Sequence, residues 1–336
     1  MKEKRKSYAQ NILDISYIPI YPIDTGGRSY IYSCISRLIN NKFKVSLICP
    51  RINNCITEKE SSKFKIIDKL STTLFKFLSP ITLYYILKEA KKHDTIIFDC
   101  PWFIPIFGFI LRILGRKIEM REQNIEFLRF KSYNNPLWIL YFLYEKFSYN
   151  LSNKIRFISE SDKELAFKCF NLKNKDFVIE EFCPDITRFF PSNKYKSEIR
   201  RSLNLEEKEK FILFFGSLNY TPNLYAIQTI KDEIIPRLNK YKILYKIVVC
   251  GKNPPSIYDS NIIYTGFVEK IERYIQSCDV MINPITSGGG VKTKVVETLA
   301  CETKVISTKE GAEGIPISEL LIIADNWDNF CMELIN

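Results

Sequence analysis

The sequence predicts an α/β protein built as two doubly wound domains, each around a parallel sheet. Short β-branched runs alternate with amphipathic helical stretches, a proline-containing segment interrupts that rhythm near the middle, and 336 residues suit two such domains better than one.

In the first half, strands are expected near Ile12–Ile18, Lys44–Cys49, Phe64–Ile67, Thr95–Asp99, Lys117–Arg121 and Lys154–Ser159. Helices are expected near Arg28–Asn40, Ile81–Lys92, Trp102–Leu114, Pro136–Leu151 and Ser161–Phe170. The stretch Phe182–Ser192 reads as a linker, dividing residues 1–190 from residues 191–336. Beyond it come strand Phe211–Phe215, helix Asn223–Leu238, strands Tyr245–Cys250 and Ile262–Tyr264, and helix Glu269–Ser277. Strand Val280–Asn283, helix Val291–Ala300, strand Lys304–Ser307 and a last helix Asn326–Leu334 complete the series. Two units of this kind are expected to face each other across a ligand cleft at the carboxyl ends of their strands.

Composition narrows the class. Apolar residues make up 46% of the chain and charged residues 26%, with 24 Phe and 19 Tyr, which excludes disorder and supplies two cores. The ten cysteines (34, 49, 55, 100, 169, 183, 250, 278, 301 and 331) show no Cys-x-x-Cys spacing, and His93 is the single histidine. No metal site is expected; Cys49 and Cys250, inside apolar runs, read as reduced thiols of a cytoplasmic protein. His93, beside Asp94, reads as a surface residue. The start, Met1–Lys6, is charged and leads into no signal-like segment. The longest apolar stretch, Trp102–Leu114, is broken by Pro105 and Gly108 and carries Arg112, so no membrane crossing is expected. The net charge of +11 favours phosphate-bearing or other polyanionic partners. The positive residues are spread along the chain rather than clustered, which argues against nucleic acid.

The most informative segment is Asn283–Ala312. A strand ends at Asn283, Pro284 follows, then Ser287-Gly288-Gly289-Gly290, then a helix expected to contain Lys292, Lys294 and Glu297. Glycines between a strand and a helix let the backbone approach a ligand, and the helix start offers unpaired N–H groups to an anion. Lys294 and Glu297, three apart, share a helix face, so a cation for a diphosphate and a carboxylate for the adjoining ribose fit one bound molecule. The alternative is a plain loop beside an exposed pair worth roughly 0.2–0.5 kcal/mol.

The run Gly288-Gly289-Gly290-Val291-Lys292-Thr293-Lys294-Val295-Val296-Glu297, continuing to Gly311-Ala312-Glu313-Gly314, resembles the donor-binding region of the family-4 glycosyltransferases. Phe214-Phe215-Gly216-Ser217 with Thr221-Pro222-Asn223, then Tyr264-Thr265-Gly266-Phe267-Val268 and Cys278-Asp279-Val280, extend the likeness upstream. Pro22–Arg28, with Gly26-Gly27 before a helix, is similar to the family's first glycine loop.

The resemblance implies the GT-B fold, with residues 1–190 on the acceptor side and 191–336 binding the donor. It implies a metal-independent retaining hexosyltransferase using a nucleotide-sugar donor, UDP- or GDP-linked, and no cofactor. By resemblance Lys292 and Lys294 hold the diphosphate and Glu297 the ribose. Gly26 and Gly27 hold the phosphate or transferred sugar, Gly216 and the triple glycine line the donor, and Phe267 and Val268 meet the base edge.

Three departures stand out. Many relatives carry a second glutamate where this chain has Gly289, which leaves the donor sugar open. In Met120-Arg121-Glu122-Gln123-Asn124-Ile125-Glu126 relatives often have His before Asn; Gln123 can hydrogen-bond a hydroxyl but takes no proton at neutral pH. The sequence ends at Asn336, where relatives often continue into a helix crossing to the first domain, so either closure is expected to be less braced or the protein is shortened.

Asp99, Glu122, Gln123 and Glu126 are the acceptor-side candidates, and each carboxylate taken alone reads first as a strand-end or loop charge. The acceptor is expected to be a glycan or a lipid-linked molecule. The aromatic stretches Trp102–Ile110 and Trp138–Tyr149, with Arg112, Arg116, Lys117, Arg129 and Lys131 nearby, read as core packing or as a peripheral contact at the inner membrane face. Two other functions share the architecture: a nucleotide-sugar epimerase, disfavoured by the single histidine, and a degenerate nucleotide-sugar-binding protein.

Overall fold

The computed structural model describes residues 10–23, 25–51, 63–70, 78–132, 134–324 and 326–335. Met1–Lys6, Cys55, Asn336 and Asp24 of the first glycine loop lie outside the described residues. The chain divides into two compact units, Met1–Phe182 and Cys183–Asn336.

The first unit holds strands β1 Asn11–Ser16, β2 Lys44–Pro50, β3 Lys65–Leu70, β4 Thr95–Asp99, β5 Ile118–Glu122, β6 Lys154–Phe157 and β7 Asp176–Ile179. They form one parallel sheet in the order β3-β2-β1-β4-β5-β6-β7. Its helices are α1 Gly26–Asn40, α2 Pro80–Ala90, α3 Phe109–Ile113, α4 Glu126–Ser132, α5 Trp138–Leu151 and α6 Glu160–Phe170. Strands β1, β2 and β4 are buried along almost their whole length, as a sheet covered on both faces requires. Ile12, Ile31, Ile35, Leu47 and Ile97 form the core on one face, and Leu13, Ile86, Phe98, Phe107 and Tyr149 that on the other.

The second unit holds α7 Lys196–Ser202, β8 Lys210–Phe215, α8 Thr221–Thr229, α9 Ile235–Leu238, β9 Tyr245–Cys250, β10 Ile262–Gly266 and α10 Ile271–Ile275. It continues with β11 Val280–Asn283, α11 Thr293–Ala300, β12 Val305–Ser307, β13 Leu321–Ile323 and α12 Trp327–Ile335. Its parallel sheet runs β10-β9-β8-β11-β12-β13. In each sheet the chain winds outward from a central strand, then crosses back to wind the other way. The reversals fall between β1 and β4 and between β8 and β11. Open α/β sheets take their ligands at the carboxyl ends of the strands beside such a reversal.

Several expectations change. The helix expected over Trp102–Leu114 is a 3-10 turn Pro101–Phe103, a π turn Ile104–Gly108 and then the short α3. Pro105 supplies no N–H, which favours such a break in register. The helix expected over Asn223–Leu238 likewise passes through a π turn, Ile230–Ile234, just before Pro236. Four elements escaped the sequence reading: β7, α4, α7 and β13. β7 and β13 are short edge strands, and their half-exposed residues give no continuous apolar run.

Residues 183–190, counted above with the first domain, pack with the second unit. Arg188 pairs with Glu272 at 3.0 Å, Phe189 joins the second core, and Gln276 Nε2 donates to the Phe190 carbonyl at 2.8 Å. His93 is buried rather than on the surface: its Nδ1 lies 2.7 Å from the Glu89 carbonyl and its Nε2 2.9 Å from Ser46 Oγ. It is therefore a structural tie between α2 and β2. The nine described cysteines are free thiols.

Candidate donor site and acceptor-side cluster

In the second unit, the loops after β8 and β11 meet at the point where strand order reverses. Gly216 follows β8, and a Cβ built there would lie 2.8 Å from Nδ2 of Asn223 on α8. Asn223 is buried; its Nδ2 donates to the Ser217 carbonyl at 2.8 Å, which turns its Oδ1 toward α11. Lys294 Nζ donates to that Oδ1 at 3.2 Å and stands 4.4 Å from the centre of the Phe214 ring. Burial, with Lys292 nearby as a second cause, lowers the Lys294 ammonium to about 7.

The glycine turn lies against the same loop. Gly288 has φ +91, and a Cβ there would come 3.0 Å from Tyr220 Oη and 3.2 Å from Pro222 Cγ. Only glycine allows both that backbone conformation and that approach. The loops after β8 and β9 are also in backbone contact, since a Cβ on Gly251 would overlap the Gly216 carbonyl oxygen. Gly251 is a site-building residue that the sequence reading missed; its signal was a glycine directly after a buried strand.

Lys292 departs from its expected place. It is the residue before α11 rather than part of it, with extended backbone. Its Nζ donates to the carbonyls of Gly288 at 2.9 Å and Gly290 at 2.7 Å, with Gly289 at 3.3 Å. The ammonium thus braces the turn by gathering its carbonyl oxygens. No side chain caps the start of α11, whose first N–H groups are the ones a helix leaves to an anion. Glu297, one turn on from Lys294, is buried on the same helix.

Phe267 and Val268 follow β10, beside β9. Phe267 is exposed, with Lys252 Nζ 4.5 Å from its ring centre. Val268 packs against the core instead.

In the first unit, Gly26 and Gly27 open α1 after β1, and no side chain caps that helix start either. A Cβ on Gly27 would meet Gln123 Oε1 at 3.2 Å, so Gln123 adjoins the glycine turn. Its Nε2 is buried without a hydrogen-bond partner among the described residues.

The three carboxylates are otherwise engaged. Asp99 is fully buried and, with Asp14 at 2.9 Å and Glu180 at 3.1 Å, surrounds the fully buried Arg121 guanidinium. Burial and neighbouring Asp14 raise the Asp99 carboxyl well above the usual range. Glu122 is fully buried and accepts from Tyr149 Oη at 3.0 Å; burial, then Glu145 and Glu126, raise it likewise. Glu126 pairs with Arg129 and is raised by burial. Its backbone N–H donates to Glu145 Oε1 at 2.9 Å, so Glu145 caps α4. Among the described residues no group of three or more His, Cys, Asp or Glu is arranged to hold a metal ion, and no helix is long and apolar enough to cross a membrane.

Residues 209–336, nearly the whole of the second unit, match the family model Glycosyl transferases group 1. The likeness to that family is one of the second unit. The chain has the GT-B fold. It is similar to sucrose-phosphate synthase from Thermosynechococcus elongatus (14% identity, TM-score 0.74, covering 97% of this chain and 88% of that one). It is also similar to Anabaena HepE in complex with UDP (12% identity, TM-score 0.73, covering 97% and 89%). A curated relative, the "Uncharacterized 44.6 kDa protein in cps region" of Klebsiella pneumoniae, is 25% identical over 279 residues. That match takes in 74% of this chain and 66% of the relative, so the matched region spans just under two thirds of the relative's length.

Proposed function

We propose that this chain is a glycosyltransferase that takes a hexose from a nucleoside-diphosphate sugar, UDP-linked in the first instance, and passes it with retention to a glycan or lipid-linked acceptor. The observation that carries the reading is the half-buried Lys294 ammonium, set between Asn223 Oδ1 and the Phe214 ring where the second sheet reverses. The family match of that unit supports it, as do the HepE structures holding UDP and UDP-glucose.

In this reading Lys294 meets the diphosphate and stabilises it as it leaves, a role in which charge develops opposite a fixed cation. The start of α11 and the glycine turn 288–290 supply backbone N–H groups, Glu297 accepts from the ribose hydroxyls, and exposed Phe267 faces the base. Lys292 holds the turn in shape. In the first unit, Gly26 and Gly27 with the Nε2 of Gln123 address the sugar or its phosphate. Asp99 and Glu122, buried in their own networks, serve the fold, so the donor's own phosphate accepts the acceptor proton.

Calorimetric titration of the chain with UDP, GDP and ADP tests the reading, followed by nucleotide release from a panel of the corresponding hexose donors. Binding of one diphosphate, lost in Lys294→Met, is expected. Indifference to all three, or equal affinity in the variant, would end it; epimerised free donor in place of transfer would reassign the chemistry.

A further inference from the structure

The first unit carries an apolar surface that its core does not use. Helix α5 turns Tyr149, Ser148 and Glu145 inward, yet its outward positions are Ile139, Leu140, Leu143 and Phe147 rather than polar residues. At this spacing they form one stripe along the helix. They are 44–62% exposed. Helix α3 adds Phe109 and Ile113, the latter 70% exposed, and the rings of Phe109 and Phe147 are 6.3 Å apart, so the two stripes join. Of the two aromatic stretches singled out in the sequence, Phe103, Ile104 and Phe107 are core and Trp102 packs edge-on against Tyr141, while Phe109, Ile139, Leu140, Leu143 and Phe147 are exposed.

Within the segments that carry this patch the charge has one sign. Residues 100–118 and 127–144 contain no Asp or Glu. Arg112 lies within α3; Lys131 and Lys146 lean over the rings of Trp138 and Phe142 at 4.9 and 5.7 Å. Such lysines keep an apolar stem on the patch and a charged head at its rim. A second copy docked face to face would set these cations against each other. Anionic headgroups accept them while the apolar stripe enters the acyl boundary.

We propose that the α3–α5 face is a docking surface for an anionic lipid bilayer. It rests on the first unit alone and is independent of the donor reading.

The full chain, centrifuged with vesicles of phosphatidylcholine alone or mixed equally with phosphatidylglycerol, is expected to pellet with the mixed vesicles and to be released by salt. Leu140→Ser/Leu143→Ser/Phe147→Ser should lower the bound-to-free ratio by about tenfold or more. The replaced side chains are exposed, so the thermal midpoint should hold. Equal pelleting of wild type and variant, or no preference for the anionic vesicles, overturns the proposal. So does a wild-type dimer that the variant dissolves while neither pellets, which would give the face to a second copy. Retained nucleotide binding in the variant separates this test from that of the donor site.

Discussion

Lys294 Nζ and Asn223 Oδ1, 3.2 Å apart and 71 positions apart in sequence, tie the helix after β11 to the helix after β8. The bond spans the reversal of strand order and holds a cation over it. The lysine has a poor counter-partner, an amide oxygen and a ring face, and this shapes its chemistry.

Lys294→Met should retain the fold and lose turnover by roughly 10²-fold, the scale of removing one fixed donor from a developing anion. Steady-state rates with the donor identified by calorimetry check it. A variant at the wild-type rate would contradict contact with the leaving group.

Proton uptake should accompany donor binding. Burial, then Lys292, hold the Lys294 ammonium at about 7 against an ordinary 10.5, so above pH 7 the unliganded protein carries it largely neutral. A diphosphate favours the charged form, so affinity should fall as pH rises through that window. Calorimetry in buffers of differing ionisation enthalpy measures the proton. Stability of the unliganded protein has the opposite slope: the unfolded chain holds the proton up to 10.5, so unfolding free energy should rise with pH from about 7, and Lys294→Met should flatten that rise.

Glu297→Ala should weaken the nucleoside diphosphate by about 1.5–3 kcal/mol, the range for hydrogen bonds to a charged group. The wild type should prefer the ribose over the 2′,3′-dideoxyribose form, and the variant should not. A preserved preference would remove Glu297 from the ribose.

Gly288→Ala should cost about 1–2 kcal/mol from left-handed backbone alone, with its Cβ also crowding Tyr220 and Pro222. Gly289, whose φ is not positive, should tolerate alanine better. Urea unfolding of the two variants gives the comparison.

Arg121→Met would leave Asp14, Asp99 and Glu180 buried without their shared cation. A loss of about 3–5 kcal/mol is expected, as for other broken buried pairs. It is read from the urea midpoint and slope.

The sequence by itself determined the α/β class, most strands of both sheets and the glycine turn before α11. These follow from local rules: β-branched runs, helical periodicity, and glycine where a strand passes into a helix. Only the tertiary structure decided that Asn223 is the partner of Lys294, that Lys292 braces its own turn, and that Gly251 touches the loop after β8. It also decided that Asp99 and Glu122 are buried and that Phe109 and Phe147, not Phe103 and Phe107, face outward. Each of these depends on residues far apart in the chain arriving at one edge of a sheet, or on which way a proline-broken helix turns its faces. Strand order and packing set both, and no local pattern encodes them.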